Sequence, residues 1–171
     1  TLEFAMDGHL APRTVCRIVA RIAGALGYSH QHHILHRDVK PKNILVTPRG
    51  LSYLIDWGTA IDVRVRRARS GGAVLGTPLY MAPEQAEGAE DHRSDIYSLG
   101  CTLFELLTGK DIVEVDSLTT FESIIRERQR CDGPNPSLYN PKVPNGLGEI
   151  VARCLRRVPS ERFESAFELQ S

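Results

Sequence analysis

Residues 36–43 read His-Arg-Asp-Val-Lys-Pro-Lys-Asn, and Asp56-Trp57-Gly58 follows a short apolar run. Those residue types, in that order, suit moving a phosphoryl group onto a hydroxyl. The reaction needs a carboxylate to orient the attacking hydroxyl and accept its proton. It also needs a cation to neutralise charge on the moving group, and oxygen ligands for the magnesium that bridges the phosphates. Asp38 can supply the first and Lys40, two residues on, the second. Asn43 and Asp56 can supply the third. Singly, Asp38 is an ordinary loop carboxylate and Asn43 a turn residue bonding its own backbone, so only the set carries the chemistry.

The elements around these residues explain how the set could converge. Residues 12–31 have a helical period, with Val15, Ile18, Val19, Ile22 and Leu26 on one face and Pro12 in the first turn. Two apolar runs, Ile44–Thr47 and Leu51–Ile55, flank Pro48-Arg49-Gly50 and predict a hairpin. That hairpin would bring Asn43 and Asp56 together. Residues 56–84 show no period, as expected of a functional or mobile stretch. Beyond them Ser94 or Asp95 is expected to cap a helix carrying Ile96, Leu99, Leu103, Leu106 and Leu107, with Gly109 as its stop. Further helices are expected at 117–130, 147–157 and 163–170, separated by a proline-rich loop at 133–144. The expected fold is mainly α with one short β-hairpin, and no internal repeat is visible.

At 171 residues, 42% hydrophobic and 25% charged, the chain suits one soluble globular domain. Lys plus Arg and Asp plus Glu balance at 21 each, so no net field favours nucleic acid or an anionic membrane. Cys16, Cys101, Cys131 and Cys154 form no C-x-x-C pair and read as reduced, mostly buried thiols. There is no apolar stretch long enough to span a bilayer and no secretory signal pattern, so a cytoplasmic location is expected. His30, His32 and His33 close the first helix, where histidines favour the negative end of the dipole or face water.

HRDVKPKN, DWG, GTPLYMAPE (76–84) and DIYSLG (95–100) occur in the order and spacing of the eukaryotic-like serine/threonine protein kinases, which this chain resembles. The lysine two residues after the catalytic aspartate is similar to the serine/threonine branch, and DIYSLGCTLFELLTGK is similar to bacterial members. The resemblance implies a partial kinase domain over residues 1–171, the carboxyl lobe from the hinge onward. Its catalytic loop would be 36–43 and its activation segment 56–84. It implies an enzyme that uses ATP and Mg2+ and acts on protein substrates. Asp38 would be the base, Lys40 would meet the γ-phosphate, and Asn43 and Asp56 would hold the metal. Backbone groups of Glu3 and Ala5 would meet the adenine, and Leu45 would form part of its apolar floor. His36 would pack in an internal spine. Arg37 would receive an activation-loop phosphate, and Thr77 would bridge to Asp38 and Lys40. Glu84 and Arg162 would form a buried ion pair, and Asp95 would brace the backbone of the catalytic loop.

Two departures from the family pattern stand out. Trp57 replaces the usual phenylalanine, so a larger indole must fit beneath His36 and its N–H needs a partner if buried. There is also no G-x-G-x-x-G motif, and no lysine precedes Lys40. The amino-terminal lobe is therefore expected to be a missing partner, and the chain alone to be inactive. The other class of function is a non-catalytic carboxyl lobe that binds proteins. Arg64, Arg66, Arg67 and Arg69 crowd beside Ser70, and a phosphate on Ser70 could recruit them or Arg37.

Overall fold

The computed structural model describes Leu2 and residues 10–64, 76–114 and 116–170. Glu3, Ala5, Ser70 and the arginines at 66, 67 and 69 lie outside the described residues. Among the described residues, five helices carry the fold. They are α1 (Pro12–Gln31), α2 (His92–Thr108), α3 (Phe121–Arg130), α4 (Asn145–Cys154) and α5 (Ala166–Gln170). Two small antiparallel ladders sit beside them. β2 (Ile44–Val46) pairs with β3 (Ser52–Leu54), and β1 (Ile34–Leu35) pairs with β4 (Ile61–Asp62). The chain is thus mainly helical with a short hairpin, as the periodicity implies.

Helix α1 begins with Pro12 in its first turn and buries Val15, Ile18, Val19, Ile22, Ala23 and Leu26 along one stripe. That stripe packs on α2, α5 and β3. Helix α2 is buried on nearly all sides from Ser94 to Leu107, so it is the centre of the core rather than an amphipathic cover. Its cap differs from the expectation. Asp91, not Ser94 or Asp95, takes the cap position, and Ser94 closes the reciprocal capping box three residues later. Asp95 is left free for other work. Gly109 ends the helix in the left-handed conformation, φ 69°.

Helices α3 and α5 start later than their periodicity suggests, because local side-chain bonds set their starts, whereas α4 starts earlier, at Asn145, without a side-chain cap and ends at Cys154. Thr120 caps α3 through Ser123, while Asp116 and Thr119 close a turn of their own just before it. The β1–β4 ladder was not legible in the sequence, since each strand is only two residues long. It matters all the same. With β2–β3 nested inside it, the two ladders hold residues 36–43 beside residues 55–60. Ile55 N–H to the Asn43 carbonyl at 2.8 Å extends the inner ladder to the edge of Asp56.

The thiols divide evenly, against the expectation of mostly buried cysteines. Cys101 and Cys154 are buried, and Cys16 and Cys131 are exposed on the polar faces of α1 and α3's end. Burial pushes the thiols of Cys101 and Cys154 up to about 11 and about 12, so both stay protonated at neutral pH. Among the described residues, no helix is long and apolar enough to cross a membrane.

Helices α2 and α4 pack tightly at Gly100, where an added methyl would lie 2.6 Å from the Cys154 Cβ. Gly100→Ala is therefore expected to destabilise the fold by about 1–3 kcal/mol through overpacking. Chemical denaturation measures it, and a midpoint equal to the wild type would show that the interface can yield.

Candidate active site

Asp38 is the hub of the site. Its Oδ1 accepts the Thr77 N–H at 3.0 Å and the Thr77 hydroxyl at 2.8 Å. Its Oδ2 accepts Lys40 Nζ at 2.7 Å and Asn43 Nδ2 at 3.1 Å. Lys40 Nζ also donates to Thr77 Oγ1 at 2.5 Å, so the three side chains close a triangle. Burial pushes the Asp38 carboxyl up, but the hydrogen bonds from Lys40 and Thr77 outweigh it and hold the group below the usual carboxylate range. Asp38 is an anion at neutral pH.

The loop that carries Asp38 is held from below by Asp95, which is only 1% exposed. Its Oδ2 accepts the His36 N–H at 2.9 Å and its Oδ1 the Arg37 N–H at 2.8 Å. Arg37 can present its N–H this way because its backbone is left-handed, φ 71°, a costly choice for a non-glycine residue. Gln85 Nε2 donates to the Arg37 carbonyl at 2.9 Å and helps hold that conformation. Gly76, φ 124°, passes so near that an added Cβ would lie 3.0 Å from the same carbonyl. Only glycine can turn there and deliver Thr77 to Asp38.

Asp95 has a third donor that the sequence reading missed. His30 Nε2 donates to Asp95 Oδ2 at 2.8 Å, with the His30 side chain 8% exposed. Of the three histidines that close α1, His30 thus faces inward, while His32 and His33 are exposed. The signal was its place at the buried stripe's period, four residues after Leu26.

His36 is fully buried and is a neutral imidazole. Its Nδ1 accepts the Asp38 N–H at 3.3 Å, while its Nε2 donates to the Ile55 carbonyl at 3.2 Å. Burial lowers its pKa against the pull of the Asp95, Asp38 and Asp56 carboxylates. Trp57 meets it edge-on at 4.6 Å, and the indole N–H donates to the Leu54 carbonyl at 3.2 Å. The larger ring has its partner but remains 38% exposed. Asp56 also takes a left-handed backbone, φ 62°, and Oδ1 accepts the Gly58 N–H at 3.3 Å, leaving the rest of an exposed carboxylate open. Leu45 stands 39% exposed on β2.

Glu84 and Arg162, paired in the sequence reading only by resemblance, meet in a two-pronged contact of 2.6 and 2.9 Å, with the arginine side chain wholly buried. Arg162 also donates to the carbonyls of Arg93, Arg156 and Arg157 and lies over the Tyr97 ring at 4.7 Å. Arg37 reaches Glu90 at 3.7 Å. Arg64 pairs with Asp62 on the surface, with bonds down to 2.5 Å. Tyr80 Oη donates to Glu105 at 2.6 Å, a link with no sequence signal.

The protein kinase domain model matches residues 2–170. The serine/threonine-protein kinase PknB of Mycolicibacterium smegmatis is 38% identical over 168 residues, 96% of this chain and 26% of its own length. PknD of Mycobacterium tuberculosis is 40% identical over 164 residues, 95% of this chain and 24% of its own. PrkC of Bacillus subtilis is 34% identical over 166 residues, 96% of this chain and 25% of its own. The chain belongs to the protein kinase domain family. It spans about a quarter of the length of the curated relatives it matches.

Two outcomes are expected from this geometry. Arg162→Met would strand the buried Glu84 carboxylate and cost about 3–5 kcal/mol, read by denaturant titration. The His36 pKa is lower in the folded chain than the unfolded value of about 6.5, so acid favours the unfolded state as pH falls below that value. Stability should fall from pH 7 to pH 5, and His36→Gln should flatten that slope. An unchanged slope would mean that another group titrates.

Proposed function

We propose that this domain transfers the γ-phosphoryl group of ATP to serine and threonine hydroxyls of proteins, with Mg2+. The observation that carries the reading is the closed triangle of Asp38, Lys40 and Thr77 beside the Asn43–Asp56 edge. In the present arrangement all four donors around Asp38 are protein groups, so its carboxylate is saturated. Lys40 is the donor that can leave. Turned toward a bound phosphate, its ammonium frees a lone pair on Asp38 Oδ2 for the acceptor hydroxyl. Asp38 then orients that hydroxyl and takes its proton. Thr77 Oγ1 stays on Oδ1 and fixes the carboxylate's plane.

The donor set fits the metal that the reading requires. Among the described residues, no cluster of three or more His, Cys, Asp or Glu stands ready to hold an ion. One carboxylate and one amide oxygen suit Mg2+, which keeps waters and binds through phosphates rather than in an all-protein cage. The ion when bound would offset charge on the phosphates. Asn43 already donates Nδ2 to the Asp38 carbonyl at 2.8 Å, which points its other amide atom away from Asp38. Leu45 offers an apolar surface for the base, while Glu3 and Ala5 are proposed to meet its edge through their backbone. Ser70 is proposed as a phosphorylation site that engages Arg37. Phosphopeptide mass spectrometry of fully active protein, with Ser70 unmodified, would remove that part.

Asp38→Asn in the natural full-length protein is expected to lower phosphate transfer by about 10²–10⁴-fold with the KM for ATP little changed. Transfer at the wild-type rate would defeat the assignment. Residues 1–171 alone hold no glycine-rich phosphate cover and are expected to bind Mg-ATP weakly. Titration calorimetry showing tight binding by that polypeptide would contradict this.

A further inference from the structure

Arg128 lies on α3 between Arg126 and Arg130, which are both exposed, yet it is itself only 3% exposed. It occupies the helical position that follows Ile124 by four and Ile125 by three, the two apolar residues the helix buries. Among the described residues, no carboxylate pairs with it. Its guanidinium donates through Nη1 to the Met81 carbonyl at 2.6 Å and through Nη2 to the Leu79 carbonyl. It also meets the Cys101 sulfur at 3.6 Å and the Tyr97 ring at 5.5 Å. Among the described residues, the Nε–H has no partner.

A buried cation bonded to carbonyls, with one donor unsatisfied, is an expensive way to pack a short helix. An apolar residue would cover the same surface at lower cost. What the arginine gains is a grip on one turn, since its fork spans two carbonyls of Pro78–Met81. That turn is the continuation of Thr77. Tyr80 N–H bonds the Thr77 carbonyl at 3.0 Å, and Thr77 in turn holds Asp38 through its own N–H and hydroxyl. On the other side Tyr80 Oη is tied to Glu105 of α2. The turn is therefore fixed between two helices, and α3 bonds its carbonyls through the Arg128 guanidinium.

We propose that Arg128 is a positioning residue of the phosphoryl-transfer site, acting through the Pro78–Met81 turn on Thr77 and so on the alignment of the acceptor hydroxyl with Asp38. The inference rests on the kinase reading above. It assigns Arg128 to the acceptor side of the reaction, leaving nucleotide binding untouched.

The test compares Arg128→Gln and Arg128→Lys with wild type in the natural full-length protein. It uses casein as acceptor and hydrogen exchange of the 77–82 amides as a second readout. Arg128→Gln should lower kcat/KM for casein by about tenfold or more while the KM for ATP stays within about twofold. Exchange should quicken at 77–82 and not across α2. Arg128→Lys, able to reach one carbonyl, should fall between the two. Wild-type kcat/KM for casein in Arg128→Gln would overturn the inference alone. So would equal losses toward ATP and casein with faster exchange throughout α2, which mark a merely structural residue. A wild-type protein that phosphorylates neither itself nor casein and hydrolyses no ATP would overturn the kinase reading, and this inference with it.

Discussion

A carboxylate taken out of water must find donors or lose its charge, and Asp95 finds three, from His30, His36 and Arg37. Two of them are backbone N–H groups of the loop that carries Asp38. They can both face one carboxylate only because Arg37 adopts a left-handed backbone. The strain at Arg37 and the burial of Asp95 are thus two sides of one arrangement. Asp95 sits in the first turn of α2, where the exposed helix N–H groups favour a negative charge. Since α2 lies at the centre of the core, the loop that carries Asp38 is anchored to a deeply buried helix rather than to its neighbours in sequence.

The same helix end organises a second charge. Glu84 accepts the Ser94 hydroxyl at 2.7 Å as well as both prongs of Arg162. Ser94 is the residue that closes the cap of α2. Residues 76–87 therefore run between two fixed points, Asp38 at Thr77 and Arg162 at Glu84. Such a pair adds little net stability over apolar packing, but it specifies where the segment must lie. Arg128, midway between them, contributes to the same end with carbonyls in place of a carboxylate.

Much of this was legible in the sequence, and the reasons are specific. Helix α1 was readable because a buried stripe repeats at 3.6 residues, and the hairpin because Pro48-Arg49-Gly50 interrupts two apolar runs. The four candidate chemical residues stood out because phosphoryl transfer would demand those types, and the structure gathers Lys40 and Asn43 on the Asp38 carboxylate. What escaped was whatever depends on tertiary partners. Ser94 looked like a cap but serves the cap of Asp91. His30 looked like a solvent-facing histidine but fills the third donor place on Asp95. Arg128 was not singled out in the sequence, although its position on the apolar stripe of α3 was a usable hint. Strands of two residues carry no period at all, so β1 and β4 could be found only by their pairing.

The groups around Asp38 are not all held alike. Asp38 is satisfied by four protein donors, and three of these are tied to the fold: the Thr77 N–H and hydroxyl through the 76–81 segment, and Asn43 through its second bond to the Asp38 carbonyl. Lys40 is different. Its ammonium bonds only to side-chain oxygens, on a flexible stem that is 18% exposed. The contacts among Asp38, Lys40 and Thr77 keep the carboxylate charged and oriented. In the function proposed above, a phosphate would compete for the Lys40 ammonium, and one lone pair of Asp38 Oδ2 would become open to the acceptor hydroxyl.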